Sequence, residues 1–267
     1  MTRYIAAAIA LLMAAGAANG QETSANEASV NESSPSVTPY RPTVSNPAAL
    51  SEPGWLEVES GLLRTKGGDS RREVSLPYLL KYAFSSDFGV LLGGDAHIWQ
   101  TDSDGHRLSG SGDTSLLLKH RWALGKDDGP AFGIEYGVTL PTAKTGLGSG
   151  KADYLVNGIY STEVAGNSID LNLNLTRVGS IATGEGRTQL GYAATVSRPL
   201  IDQWGIAAEI SGDTRRGTAP TDQLLVATSY AASRKVVWDA GVAFGLSHAS
   251  PDWSIFAGVS ILLEKLH

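Results

Sequence analysis

From Ile169 to Thr176 the chain reads IDLNLNLT, with a large aliphatic at every second position and Asp, Asn or Thr between them. A period of two makes a strand with two chemically different faces. In a soluble sheet the aliphatics would point to a core. In a transmembrane barrel they face lipid, and the polar set lines the lumen. The rest of the chain decides between the two, because the pattern recurs almost back to back from Trp55 to the C-terminus. Its apolar registers are Leu56 to Leu62, Val74 to Tyr82, Phe88 to Ile98, Leu116 to Trp122, Phe132 to Leu140 and Tyr154 to Tyr160, then the opening segment. Leu190 to Val196, Trp204 to Ile210, Leu224 to Tyr230, Trp238 to Phe244 and Trp253 to Leu263 complete the set. That makes about twelve strands, each near the length of a membrane-spanning strand, and an even number is what a closed bacterial barrel requires.

The connections alternate as well. TKGGDSR, TDSDGHRLSGSGD, PTAKTGLGSGKAD and TRRGTAPTD are long and rich in Gly and charge, whereas SSD, VAGNS and ASR are tight turns, with ALGKDDGPA a longer exception. Long loops on one side and short turns on the other is the asymmetry of an outer-membrane barrel, and it leaves both termini in the periplasm.

The N-terminus fits that destination. Arg3, an apolar stretch from Ile5 to Ala15 and the small residues Ala18-Asn19-Gly20 form a secretory signal over residues 1–20, with cleavage near Gly20. Residues 21–50 are rich in Ser, Asn, Glu, Thr and Pro, and read as a flexible tail before a barrel over residues 51–267. Cysteine is absent, which excludes a lipobox and any disulfide framework. No later run approaches the roughly 20 apolar residues of a spanning helix. A net charge of −6 argues against nucleic-acid binding.

Aromatics separate barrel from soluble sandwich. Trp55, Tyr82, Phe88, Trp122, Phe132, Tyr160, Trp204, Tyr230 and Trp238 fall on the apolar registers at strand ends next to the short connections, as in an interfacial girdle. The other register carries Glu57, Glu59, Lys81, Asp95, His97, Lys119, Arg121, Glu135, Asp170, Glu209 and Asp239 among Gly, Ser and Asn, and these are the expected lumen-lining residues. The fold is therefore read as all-β, a transmembrane antiparallel up-and-down barrel behind a cleaved signal. Its partners are the lipid bilayer, lipopolysaccharide and the outer-membrane assembly machinery. Gly258, Ile261 and Leu263 stand at the spacing of the C-terminal assembly signal, although Phe256 and the trailing residues Glu264 to His267 depart from it.

Several stretches, among them RPTVSNPAALSEPGW from Arg41, LPYLLKYAFSSDFG from Leu76, GDTSLLLKHRW from Gly112, LPTAKTGLGSGKADYLVNGIYSTE from Leu140, SRPLIDQWG from Ser197 and DAGVAFGL from Asp239, resemble the outer-membrane transporter family labelled after the MetA pathway of phenol degradation. The resemblance implies a transmembrane barrel in a Gram-negative outer membrane and passage of small aromatic or other hydrophobic compounds. It assigns no functional residue.

Sharper motifs carry less. GLGSGK from Gly146 has Thr145 where a phosphate loop begins with glycine, Ala152 after the lysine, and no following helix. Asp102 and Asp104 lack the further oxygen ligands of a calcium loop, so no metal and no cofactor is assigned. Asp95 and His97 lie roughly 6.5 to 7 Å apart along a strand and read as part of a polar network with Lys119 or Arg121, not as an acid–base pair. A passive channel or transporter for small solutes is the expected function, and not an enzyme. The alternatives are a hydrolase using Ser247, His248 or Ser250, for which no nucleophile elbow exists, and a barrel closed by its own side chains.

Overall fold

The computed structural model describes residues 34–68, 71–124 and 129–266, so the signal segment and the first part of the tail lie outside the described residues. Among the described residues thirteen strands follow one another. They are β1 (Trp55–Lys66), β2 (Arg72–Ala83), β3 (Phe88–Thr101), β4 (Arg107–Gly110), β5 (Thr114–Ala123), β6 (Ala131–Leu140) and β7 (Asp153–Val164). The series continues with β8 (Asn167–Arg177), β9 (Thr188–Pro199), β10 (Trp204–Arg215), β11 (Thr221–Ser233), β12 (Val236–Gly245) and β13 (Trp253–Lys265). β4 pairs only with β3, as an outgrowth of the β3–β5 connection, and the other twelve strands form the wall. Each neighbours the next in sequence, and β1 pairs antiparallel with β13, which closes the sheet and removes its edges.

The faces sort as the alternation requires. Leu171, Leu173, Leu175, Val156, Val226, Ile255 and Leu263 are exposed on the outer surface, whereas Glu57, Glu59, Lys81, Lys119, Glu135 and Glu209 are buried inside. Such a distribution is inside-out for a protein in water and correct for one in a bilayer. Outer aromatics pair across strands near the short turns, with ring centres 5.2 Å apart for Phe132 and Tyr160 and 4.9 Å for Trp204 and Tyr230. A second band, Trp99, Tyr154, Tyr192, Phe244 and Trp253, sits near the long-loop end, so the aliphatic belt is bounded on both sides.

Two features depart from the sequence reading. The first is a β-bulge where Leu76 and Pro77 face His97 and Asp95, leaving Ala96 as an extra residue in β3. Proline has no N–H for the ladder, and a bulge is where a sheet accommodates it. The bulge reverses the faces beyond it. Ile98, expected outside, is buried inward, and Trp99 is exposed outward.

The second departure concerns the tail. From Ser36 onward the chain belongs to one compact unit with the barrel. Val37 donates its N–H to Arg234 O in the β11–β12 turn, and Gly54 donates to Ala83 O at the same end. Between them the segment rises inside the barrel to mid-height and returns. The flexible stretch expected to run to Leu50 is thus held in the lumen from Ser36, because the wall offers it carboxylates that its own composition does not reveal.

Candidate functional site: the lumen and its N-terminal segment

The segment is bound chiefly through backbone N–H groups. Thr38 donates to Glu57 Oε2 at 3.1 Å, and Tyr40 and Arg41 donate to the two oxygens of Glu59 at 2.8 and 3.0 Å. At the apex Val44 and Ser45 donate to the two oxygens of Glu209 at 3.1 and 2.8 Å. Asn46 donates its N–H to Asn172 Oδ1 and accepts from Asn172 Nδ2 on its carbonyl, at 3.0 and 2.9 Å. Ala48 donates to Ser161 Oγ, which in turn donates to Asp170. A segment without secondary structure inside a barrel has to pair its backbone donors with the wall, and carboxylates are the strongest acceptors available.

Side chains lock the same path. Lys81 forms ion pairs with Glu57 and Glu59 and donates to Thr38 O. Lys119 pairs with Glu135 at 2.9 Å and donates to Pro47 O at 2.6 Å. The Tyr40 ring lies between the two ammonium groups, 3.9 Å from Lys81 Nζ and 4.1 Å from Lys119 Nζ, while its hydroxyl donates to Ala49 O. Arg41 grips Asp239 with two nitrogens at 3.0 and 2.9 Å. It fits there because Gly61 and Gly258 stand beneath it: a Cβ on Gly258 would lie 2.5 Å from Arg41 Nε. On the neighbouring wall Leu63, Leu225, Ala227, Ala243 and Phe256 pack into an apolar cluster.

Of the expected lumen residues, Glu57, Glu59, Lys81, Lys119, Glu135, Glu209 and Asp239 are gathered around the segment, with Asp170 joined through Ser161. Arg121 is apart, bordering the cavity on the short-turn side. Asp95 faces inward near the bulge, away from the segment. His97 is not in the lumen. It shares the outer face with Trp99, with ring centres 4.3 Å apart, since the bulge turned that part of β3 over. The functional residues that sequence reasoning missed are those of the segment, from Thr38 to Ala49, and the neutral wall residues Asn157, Ser161 and Thr195; Asn172 was expected on the lumen face, but not its bonds to the segment. An acidic surplus on the lumen register was the one available signal, since buried carboxylates need donors from somewhere.

The segment divides the lumen. A cavity of about 650 Å³ opens on the short-turn side, bordered by Pro39, Arg41, Arg121, Asp170 and Ser197. One of about 410 Å³ lies toward the long loops, bordered by Val44, Asn172, Asn174, Gln189, Ser211 and Gln223.

The remaining motifs are occupied by structural roles. In the glycine-rich loop the place of a phosphate is taken by Asp113, whose carboxylate accepts from Ala143 N–H, Ser149 N–H and Ser149 Oγ at 2.8 to 3.0 Å. Asp102, Asp104 and His106 bring candidate ligand atoms within 4.8 Å of one another. Asp102 Oδ1, however, already accepts from the N–H groups of Asp104 and His106. Partial desolvation raises the Asp102 pKa, but these N–H groups and the His106 charge outweigh it and hold the carboxyl below its ordinary range. Ser247 and Ser250 bond each other and the carbonyls of Pro220 and Asp222, tying the β12–β13 loop to β11, and among the described residues no hydrogen bond joins either to His248.

The barrel fold has solved counterparts. An outer-membrane channel from Pseudomonas putida F1 is similar over 81% of this chain and 98% of its own, with a TM-score of 0.64 and 12% identity. This chain is an outer-membrane-type β-barrel. The KdgM porin is similar over 78% of this chain and 99% of its own, at a TM-score of 0.51 and 14% identity. For the CymD monoaromatic hydrocarbon channel the figures are 81% and 90%, 0.50 and 11%. At these identities the likeness is one of fold. No family model and no curated protein sequence matches the chain.

Proposed function

We propose that the protein is a passive channel of the Gram-negative outer membrane, in which the stretch from Ser36 to Leu50 sets the constriction. The observation that carries this reading is the divided lumen: cavities on both sides of a segment held by hydrogen bonds and ion pairs, not by covalent links. Short turns then face the periplasm, where the barrel is received by the assembly machinery, and long loops face outward. The solutes are small and uncharged, because most lumen carboxylates already have partners within the protein. Aromatic and other hydrophobic compounds are the class that the sequence resemblance and the likeness to the CymD monoaromatic hydrocarbon channel favour. The geometry lends no support to the hydrolase reading, since among the described residues neither Ser247 nor Ser250 is hydrogen-bonded to a histidine.

Planar-bilayer conductance tests the proposal. The full chain should show small unit steps, and removal of residues 36–50 should raise the unit conductance severalfold. Silence from both would make the barrel a closed structural one. Lipid hydrolysis by the purified protein would make it an enzyme.

A further inference from the structure

The β1–β2 hairpin carries an arrangement that the lumen does not explain. Lys66 and Arg72 stand directly opposite each other in the register, and the alternation that puts Leu62 and Val74 on the outer face puts both of them there too. Arg64, two residues before Lys66, shares that face, with its guanidinium carbon 5.8 Å from the ring centre of Trp253. Like charges directly opposite on one face of a sheet destabilise the pairing. Asp252, at 2.9 Å, answers Lys66 alone. Among the described residues Arg64 and Arg72 have no carboxylate partner. Three cations on one outer patch is also unexpected in a chain of net charge −6. Their depth is informative. They lie just past Leu62: Arg64 stands opposite Ile255 and Val74, the latter paired with the exposed Trp99, and Lys66 stands opposite Trp253, where hydrocarbon gives way to headgroups.

We infer that this face of the hairpin docks the phosphate groups of the outer-leaflet glycolipid, lipopolysaccharide. A phosphate between Arg64, Lys66 and Arg72 converts a repulsive cross-strand pair into a shared contact. Guanidinium forks match phosphate oxygens two at a time and stay charged at any working pH. Acyl chains lying along Leu62 and Ile255 hold the phosphate at this depth, so its effective concentration is high enough for a solvent-exposed cluster to bind it. Inorganic phosphate lacks that advantage. The inference rests on the long loops facing outward as proposed above, but not on whether the lumen conducts.

The test is native mass spectrometry of the full-length mature protein in detergent, titrated with lipopolysaccharide, with the same glycolipid chemically dephosphorylated, and with inorganic phosphate. The phosphorylated glycolipid should bind about tenfold more tightly than the dephosphorylated one, the scale of one or two charge-assisted contacts. Arg64→Gln combined with Arg72→Gln should abolish that difference, whereas Arg177→Gln, on the outer face of β8, should leave it intact. Retained heat-resistant migration on gels establishes that the variants fold; if the double variant does not, Lys66→Gln should reduce the preference by itself. Equal binding of the two glycolipids by the unaltered protein overturns the inference without any variant. So does an unchanged preference in the folded double variant. Displacement of the glycolipid by millimolar inorganic phosphate overturns it in favour of a free-anion site.

Discussion

Adjacent residues in β8 show how much one position along a strand decides. Leu173 is 59% exposed on the outer surface, whereas Asn172 is 8% exposed and bonded to Asn157 and to both backbone groups of Asn46. Leu173→Arg places a cation near the bilayer midplane and should cost roughly 2 to 4 kcal/mol. Alternation alone makes Asn172 the tolerant neighbour, a polar lumen residue with water beside it. The structure moves that role to Asn174, which borders the cavity toward the long loops. Arginine at Asn172 would break the joint with the apex of the N-terminal segment, leaving buried polar groups without partners. Reversible unfolding by denaturant in micelles should therefore rank Asn174→Arg as the mildest of the three. Equal destabilisation by Leu173→Arg and Asn174→Arg would reject the assignment of faces.

At the level of elements, the strands were legible because each carries its own period-two pattern, and because membrane and lumen are chemically opposite environments that enforce it. His97 was misplaced because a bulge is a property of two strands at once. Its traces, Pro77 in β2 and the Gly93–Gly94 pair in β3, are visible in the sequence but mark a register only after the strands are aligned. The N-terminal segment was illegible for a related reason. Its contacts are made by backbone N–H groups, which every sequence except proline supplies, to carboxylates lying 18 to 165 positions away. Gly258 illustrates the same dependence. It fits the spacing of an assembly signal in the last strand, yet its lack of a side chain is what leaves room for Arg41. The three nearest atoms that a Cβ there would meet all belong to the Arg41 side chain, so Gly258→Val should evict Arg41 from Asp239 and leave the strand pairing intact. Unit conductance should rise toward that of the chain lacking residues 36–50, with migration on gels unchanged. A folded Gly258→Val barrel of unaltered conductance would mean that Arg41 does not hold the constriction.

For the whole molecule the question is what the lumen charges do to passing ions. Counted from the sequence, the lumen register holds Glu57, Glu59, Asp95, Glu135, Asp170, Glu209 and Asp239 against Lys81, Lys119 and Arg121. A negative lining between low-dielectric walls concentrates cations, which predicts mild cation selectivity governed by Glu57 and Glu59. The structure changes the terms. Glu57 and Glu59 are buried against Lys81 beneath the N-terminal segment, Arg41 adds a cation that offsets Asp239, and the Glu209 carboxylate is spent on two backbone N–H groups. Charges paired at such short range present little field to an ion passing beyond them, and what remains is further reduced by salt. Neutralising Glu57 and Glu59 together in the full chain should therefore leave the reversal potential across a KCl gradient almost unchanged. In the chain lacking residues 36–50 the same carboxylates lose their backbone donors, Arg41 is gone, and the lining is left more acidic and more accessible. That chain should be distinctly more cation-selective than the full one, more so at low salt, and there the double Glu→Gln change should reduce the preference. A large shift on neutralisation in the full chain would show that ions pass alongside Glu57 and Glu59 in spite of the segment, and that the segment does not shield the wall it covers.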